Sequence, residues 1–280
     1  MKNMICSVLA VARRTLDAAE VSPTDADILM ASLLGKDRCY LLAYGDTALT
    51  KAQAQRFQTQ IAQRCSGVPV AYLTGLRDFW CFALQVNQHT LIPRPETECL
   101  VEYALALGDA ESRLRVLDLG TGSGAIALAL AQERPHWQIM ATDINPNTLA
   151  MAQQNAVRLH LTQIEFLCSD WLAAVEGHYD VIISNPPYIA ESDSHMDALC
   201  FEPRQALVSG PDGLQAIRQI TEQATGYLVP GGRLLMEHGY EQGALCRALL
   251  EKQRFSQVFT RQDLAGLDRL SGGQWDRSVS

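Results

Sequence analysis

Apolar residues in the first 75 positions recur with the period of a helix, whereas beyond Arg115 they gather into short unbroken runs separated by helical stretches. Val8, Val11, Ala12, Thr15 and Leu16 share one predicted helix face. Ser22-Pro23-Thr24-Asp25 reads as a helix start, with Ser22 as N-cap and Pro23 at the first position, where its missing N–H costs nothing. That helix runs through Ile28, Leu29 and Leu33 and stops at Gly35. Thr50 caps a further helix over Ala52, Phe57, Ile61 and Ala62 that ends near Gly67. Residues 1–70 are therefore expected to form a small all-helical bundle.

The character changes after that. Leu73–Trp80 and Cys81–Val86 are short, aromatic and β-prone, and predict a hairpin. Ile92-Pro93-Arg94-Pro95-Glu96-Thr97-Glu98 follows; two prolines at spacing two exclude a helix interior or a central strand and predict a stiff loop entering a helix over 97–107. Residues 71–95 thus read as a linker. The remainder, 96–280, alternates: strands at 116–118, 137–143, 164–167, 181–184, 234–237, 257–261 and 268–275, and helices near 124–133, 146–160, 212–226 and 241–253. Unbroken runs such as Val181-Ile182-Ile183 mark parallel strands covered on both faces. The predicted class is α/β, doubly wound and Rossmann-like, behind a helical N-terminal domain.

Composition narrows the setting. At 48% hydrophobic and 19% charged the chain is ordinary for a soluble globular protein, and no run reaches the roughly 18 apolar residues of a membrane span. The N-terminus shows an amphipathic pattern rather than a signal peptide, so a cytoplasmic location is expected. Eight scattered cysteines without a CxxC, and dispersed histidines, predict reduced thiols and no metal. The net charge is −8; residues 1–75 hold 8 basic against 6 acidic side chains, so the excess of acid lies beyond them and argues against stable nucleic-acid binding.

Candidate chemistry begins at Val116-Leu117-Asp118-Leu119-Gly120-Thr121-Gly122-Ser123-Gly124, a strand ending in a glycine-rich turn that opens a helix. Such turns let backbone approach a ligand closely and offer amide donors. Gly120–Ala125 also fits the dinucleotide fingerprint, so a nicotinamide enzyme stays open on this motif alone. The next strand ends at Asp143, placed to accept hydrogen bonds from the ribose hydroxyls of a nucleoside, while Asn145 is the better N-cap of the helix beyond. After the third strand, Cys168-Ser169-Asp170-Trp171 offers the Trp171 ring as a face for a base, with Asp170 as a second choice.

Ser184-Asn185-Pro186-Pro187-Tyr188 ends the fourth strand on the same side. Two consecutive prolines remove two N–H donors and leave acceptors. The Asn185 side-chain oxygen and the Pro186 carbonyl could each accept one hydrogen of an NH2 group, and Tyr188 could stack on it. A planar nitrogen is a poor nucleophile because its lone pair is delocalised. Fixing both hydrogens aims that lone pair at an electrophilic methyl group, where alignment matters more than a strong base.

With these pieces in place the sequence resembles the HemK/PrmC family, the protein-(glutamine-N5) methyltransferases. The resemblance rests on Leu91–Glu98, Leu117–Gly124, Asn185-Pro186-Pro187-Tyr188-Ile189, and Phe201-Glu202-Pro203 leading to Ala206-Leu207. It implies that Gly120, Thr121, Gly122, Ser123, Gly124, Asp143, Trp171 and Asn185 contact S-adenosyl-L-methionine, whose product is S-adenosyl-L-homocysteine. It further implies that Asn185, Pro186, Pro187 and Tyr188 hold the glutamine of the Gly-Gly-Gln motif of class-I peptide chain release factors. Of these, Asn185, Pro186 and Tyr188 are the expected catalytic groups, and the helical bundle is expected to dock the release factor. Similar tetrapeptides serve adenine-N6 and guanine-N2 methyltransferases, which keeps a nucleic-acid base open as the alternative acceptor. The chain also carries its own triplet, Gly272-Gly273-Gln274, readable as a pseudosubstrate or as part of a last strand.

Overall fold

The computed structural model describes residues 3–276. Two compact units divide after Leu76. The first is helical: α1 (Ile5–Ala18), α2 (Asp25–Leu34), α3 (Arg38–Ala43), α4 (Lys51–Cys65) and α5 (Val70–Thr74) enclose a core of Ile5, Leu9, Leu16, Leu29, Met30, Phe57 and Ile61. α4 begins with the expected cap: Thr50 Oγ1 accepts from the Gln53 N–H, and the Thr50 N–H donates to Gln53 Oε1.

Three local expectations are corrected. The buried stripe of α1 is Ile5, Leu9, Ala12 and Leu16, which leaves Val11 56% exposed. The sequence pattern shares Ala12 and Leu16 between two adjacent stripes, and packing selects the one that also contains Ile5. α2 starts at Asp25 rather than at Pro23, because the Asp25 N–H closes a turn onto the Ser22 carbonyl. Ser22 then meets the Thr24 hydroxyl instead of capping a backbone amide. The hairpin begins later than expected: residues 70–74 are helical, Thr74 Oγ1 donates to the Val70 carbonyl, and left-handed Gly75 ends the turn.

The hairpin of β1 (Leu76–Phe79) and β2 (Phe82–Gln85) begins at the division, and α6 (Glu98–Leu105) follows it in the second unit. It continues as β3 (Arg115–Leu119), α7 (Ala125–Glu133), β4 (Gln138–Asp143), α8 (Pro146–Arg158), β5 (Glu165–Cys168) and β6 (Tyr179–Ser184). The last elements are α9 (Gln215–Ala224), β7 (Leu228–Glu237), α10 (Gly243–Lys252), β8 (Phe255–Gln262) and β9 (Asp268–Trp275). The sheet order is β5-β4-β3-β6-β7-β9-β8, parallel from β5 to β7, with β9 antiparallel to both neighbours.

Side chains alternate between two faces as strand geometry demands. Val116, Val181, Ile183 and Leu235 enter one core with α6 and α7; Leu117, Ile182, Leu234 and Met236 enter the other with α9 and α10. Residues 125–131 of α7 are all buried, so that helix is apolar around its whole circumference.

The register fixes the site. Leu119 pairs with both Thr142 and Ser184, and Ser184 pairs with Met236. The residues that follow, Gly120, Asp143, Asn185 and Glu237, therefore sit in a row at the carboxyl ends of four adjacent strands. In this fold class that end, at the point where strand order reverses beside β3, is where ligands bind.

Gly272-Gly273-Gln274 lies inside β9, between β7 and β8. A Cβ at Gly272 would stand 2.6 Å from the Leu234 carbonyl oxygen, so glycine serves strand packing there. The Gln274 side chain accepts from Arg233 at 3.0 Å. The triplet is sheet structure, not a presented peptide.

Candidate active site

A cavity of about 280 Å³ opens at these strand ends. Gly120, Gly122, Asp143, Trp171, Asn185 and Pro187 all line it. Gly120 and Gly122 have φ of +71° and +60°, a region that disfavours side chains. A Cβ on Gly120 would meet the Trp171 ring at 3.5 Å, so the ring lies across the loop. Trp171 itself is left-handed, with φ of 47°. That is an uncommon conformation for a bulky residue, and such outliers concentrate at binding sites.

The other residues of the loop face inward. Gly124 (φ +88°) packs a helix start so closely that a Cβ would lie 2.9 Å from Leu128. Thr121 and Ser123 are buried. Thr121 Oγ1 donates to Asp118 Oδ2 at 2.6 Å, and the Ser123 carbonyl accepts from Asn155 at 2.9 Å. Asp118 is fully buried, and burial pushes its carboxyl up to about 7. The Asp143 carboxylate accepts the Gly122 N–H at 3.1 Å and the Asn145 N–H at 2.9 Å. Burial raises its carboxyl while these backbone amides lower it. A carboxylate offers about four lone-pair sites, more than these backbone amides use, and the residue lines the cavity. Asn145 accepts from the Asn147 N–H and so caps α8, as expected.

On the other flank Asn185 Nδ2 donates to Thr97 Oγ1 at 3.1 Å, and Thr97 Oγ1 donates to Glu237 Oε2 at 2.7 Å. Tyr188 OH makes a long 3.4 Å contact to Glu237 Oε1. Glu237 is fully buried, and burial pushes its carboxyl up to about 7. Burial, then the Glu237 carboxylate, push the Tyr188 phenol well above its ordinary range. The backbone of Tyr188 is held as firmly: its carbonyl accepts from Gln242 at 3.0 Å, and a Cβ at Gly213 would stand 2.3 Å from that oxygen. Of the segment Asn185-Pro186-Pro187-Tyr188, Asn185 and Pro187 line the cavity, whereas Pro186 and Tyr188 do not.

Residues 97–258 match the methyltransferase small domain family, and residues 7–75 match the PrmC N-terminal domain. A release factor glutamine methyltransferase of Pseudomonas aeruginosa is 46% identical over 254 residues, covering 90% of this chain and 92% of that one. A protein of the same name from Xylella fastidiosa is 47% identical over 267 residues, covering 94% and 97%. The chain belongs to the release factor glutamine methyltransferase family. A solved methyltransferase from Pyrococcus furiosus matches 81% of this chain and 100% of its own, with a TM-score of 0.53 at 16% identity, a likeness of fold.

Two motifs that carried the family resemblance without a chemical role prove to be joined. Glu202 Oε2 accepts the Ile92 N–H at 3.0 Å, and Oε1 is paired with Arg94. This clasp holds the proline loop to the segment bearing Pro203, Gln205 and Ala206, which with Leu91 lines the cavity. Glu237 was not singled out by sequence at all. Its only signal is position, as the last residue of an apolar strand one step beyond the register partner of Ser184. Among the described residues no helix is long and apolar enough to cross a membrane.

Proposed function

We propose that the protein transfers a methyl group from S-adenosyl-L-methionine to the side-chain amide nitrogen of the Gly-Gly-Gln glutamine in class-I release factors. The observation that carries this reading is the junction of the nucleoside-type half of the cavity with the Asn-Pro-Pro-Tyr segment, whose Asn185 and Pro187 line the adjoining wall. The residues present fit the cofactor: Gly120 and Gly122 leave space where side chains would intrude, Trp171 offers a ring, and Asp143 presents a carboxylate to the cavity for ribose hydroxyls.

When bound there, the cofactor supplies an electrophilic methyl group on a sulfonium. The protein's own contribution is positional. Asn185 and the Pro186 carbonyl are the acceptors that fix the two hydrogens of the target amide, and Tyr188 limits its tilt. Catalysis then rests on contacts that are best satisfied in the aligned amide. The base-nitrogen alternative is favoured by no observation, whereas relatives at 46–47% identity bear the release-factor name. A soluble cytoplasmic enzyme suits such a substrate.

The helical residues 1–70 dock the release factor in this reading, with 71–95 as linker and 96–280 as the methyl-transfer domain. The chain beyond Leu76 has its own two-faced core. Removing residues 1–75 is therefore expected to preserve cofactor binding while release-factor methylation falls sharply. The primary test is labelled methyl transfer to a purified release factor, beside the same factor with its Gly-Gly-Gln glutamine changed to alanine. Label on the first and none on the second is expected; equal labelling of both would refute the assignment.

A further inference from the structure

We propose that Thr97 and Glu237 are positioning residues that set the rotation of the Asn185 side-chain amide, so that its oxygen rather than its NH2 group faces the acceptor nitrogen. This deepens the proposed function and rests on it. The argument is a count of hydrogens. A hydroxyl has one hydrogen to donate, and an ionised carboxylate can only accept. Thr97 directs its hydrogen to Glu237 Oε2 at 2.7 Å, so toward Asn185 it offers only a lone pair. Asn185 must answer with Nδ2, as it does at 3.1 Å. Thr97 is buried and does not line the cavity, whereas Asn185 does. The amide oxygen is thereby left for the cavity side. Nothing local to the Asn-Pro-Pro-Tyr segment enforces that choice, because an asparagine amide rotated by half a turn fills the same volume.

The same count predicts what happens when Glu237 gains a proton. With that proton on Oε2, the oxygen that faces Thr97, the carboxyl donates to Thr97, whose own hydrogen is released toward Asn185. The favoured amide rotation reverses and presents NH2 to a substrate NH2, two donors facing each other. The surroundings of Glu237 set where this occurs. Burial and Glu96 raise its carboxyl; Thr97, Arg269 on β9 and Tyr188 lower it, for a result of about 7. His238, the next residue on β7, turns its ring to the Gly239 carbonyl and the Ser271 hydroxyl, and burial holds it toward the neutral form. Arg269 is itself held by Asp263 at 3.2 Å.

The test is single-turnover methylation of release factor by the full chain between pH 5.5 and 9, in the parent, Thr97→Ser, Thr97→Val, Glu237→Gln and Asn185→Ala. Thr97→Val is nearly isosteric and should lose about tenfold or more in rate, the scale of one orienting hydrogen bond, with cofactor affinity and KM within threefold. Thr97→Ser keeps the hydroxyl and should restore the parent rate. In an Asn185→Ala background, Thr97→Val should cost nothing further, which a general packing defect would not reproduce. The parent should lose rate as pH falls through about 7, and Glu237→Gln should lose that acid limb, since its amide oxygen still accepts from Thr97. A Thr97→Val enzyme within threefold of the parent, or an unchanged acid limb in Glu237→Gln, would overturn the proposal while leaving the substrate assignment standing. A parent that does not label release factor would overturn both.

Discussion

The two flanks of the cavity are built by different means. On the flank of the glycine loop the contacts are local in sequence: Thr121 with Asp118 three residues away, Asn145 with Asp143 two away, and Gly122 with Asp143 at a separation of 21. Most are made by backbone amides of one strand–turn–helix unit and its neighbour. On the flank of Asn185 the contacts span the chain, with Asn185 to Thr97 at 88 residues, Ile92 to Glu202 at 110 and Thr97 to Glu237 at 140. Each depends on at least one side chain, and every partner except the half-buried Asn185 is buried. The first flank needs only the pairing of β3 with β4 and the turns at their ends. The second exists only once the whole sheet has its register, and its amide and carboxyl groups can each be wrongly oriented at little steric cost.

The difference predicts separable failures, and the largest lies on the long-range flank. Asn185→Ala removes the acceptor proposed for the target amide and leaves Gly120, Gly122 and Asp143 untouched. Loss of one preorganised polar contact of that kind costs about 10²–10³ in rate. Methyl transfer is expected to fall by that factor in single-turnover assays while cofactor affinity drops only modestly. A rate within about threefold of the parent would remove the acceptor clamp from the mechanism.

How far the sequence alone discloses the molecule follows the same division. The glycine loop, Asp143, Trp171 and Asn185 are legible because each occupies a fixed offset from a strand end that its own apolar run announces. The alternation of runs gave the α/β class, and Thr50 and Asn145 declared their helices through capping chemistry that is complete within a few residues. Glu237 and the clasp of Glu202 were illegible as chemistry, since a carboxylate's partner 110 or 140 residues away is set by strand order. The stripe of α1 departs from its sequence pattern for a related reason: two overlapping helical faces satisfy the same spacing, and only the packed bundle distinguishes them.

On the local flank the expected effect is smaller. Asp143→Ala removes the acceptor proposed for the ribose hydroxyls, and also the tie between the Gly122 and Asn145 amides. Hydrogen bonds to a charged acceptor are worth roughly 1.5–3 kcal/mol at most, less where water replaces them. Affinity for S-adenosyl-L-methionine should fall tenfold or more by calorimetry, with the rate at saturating cofactor much less affected. Unchanged affinity would take Asp143 out of the site and leave the glycine loop without its nucleoside partner.

The smallest effect tests whether the long-range flank shapes substrate entry as well as chemistry. Glu202 is buried, but its partner Arg94 keeps a side-chain exposure of 31%. Breaking a fully buried pair strands a charge and costs about 3–5 kcal/mol, whereas water can still solvate Arg94 here. Glu202→Gln also retains an amide oxygen for the Ile92 N–H, so the fold should survive the change. What is lost is the charge that holds the proline loop to the segment carrying Pro203, Gln205 and Ala206. A looser wall on that side should raise KM for the release factor by about fivefold, on the order of 1 kcal/mol. Cofactor affinity should hold, because Gly120, Asp143 and Trp171 belong to the other flank. Loss of cofactor affinity in step with KM would mean that the two flanks are one mechanical unit, and the contrast between them would fail as an account of how the site is divided.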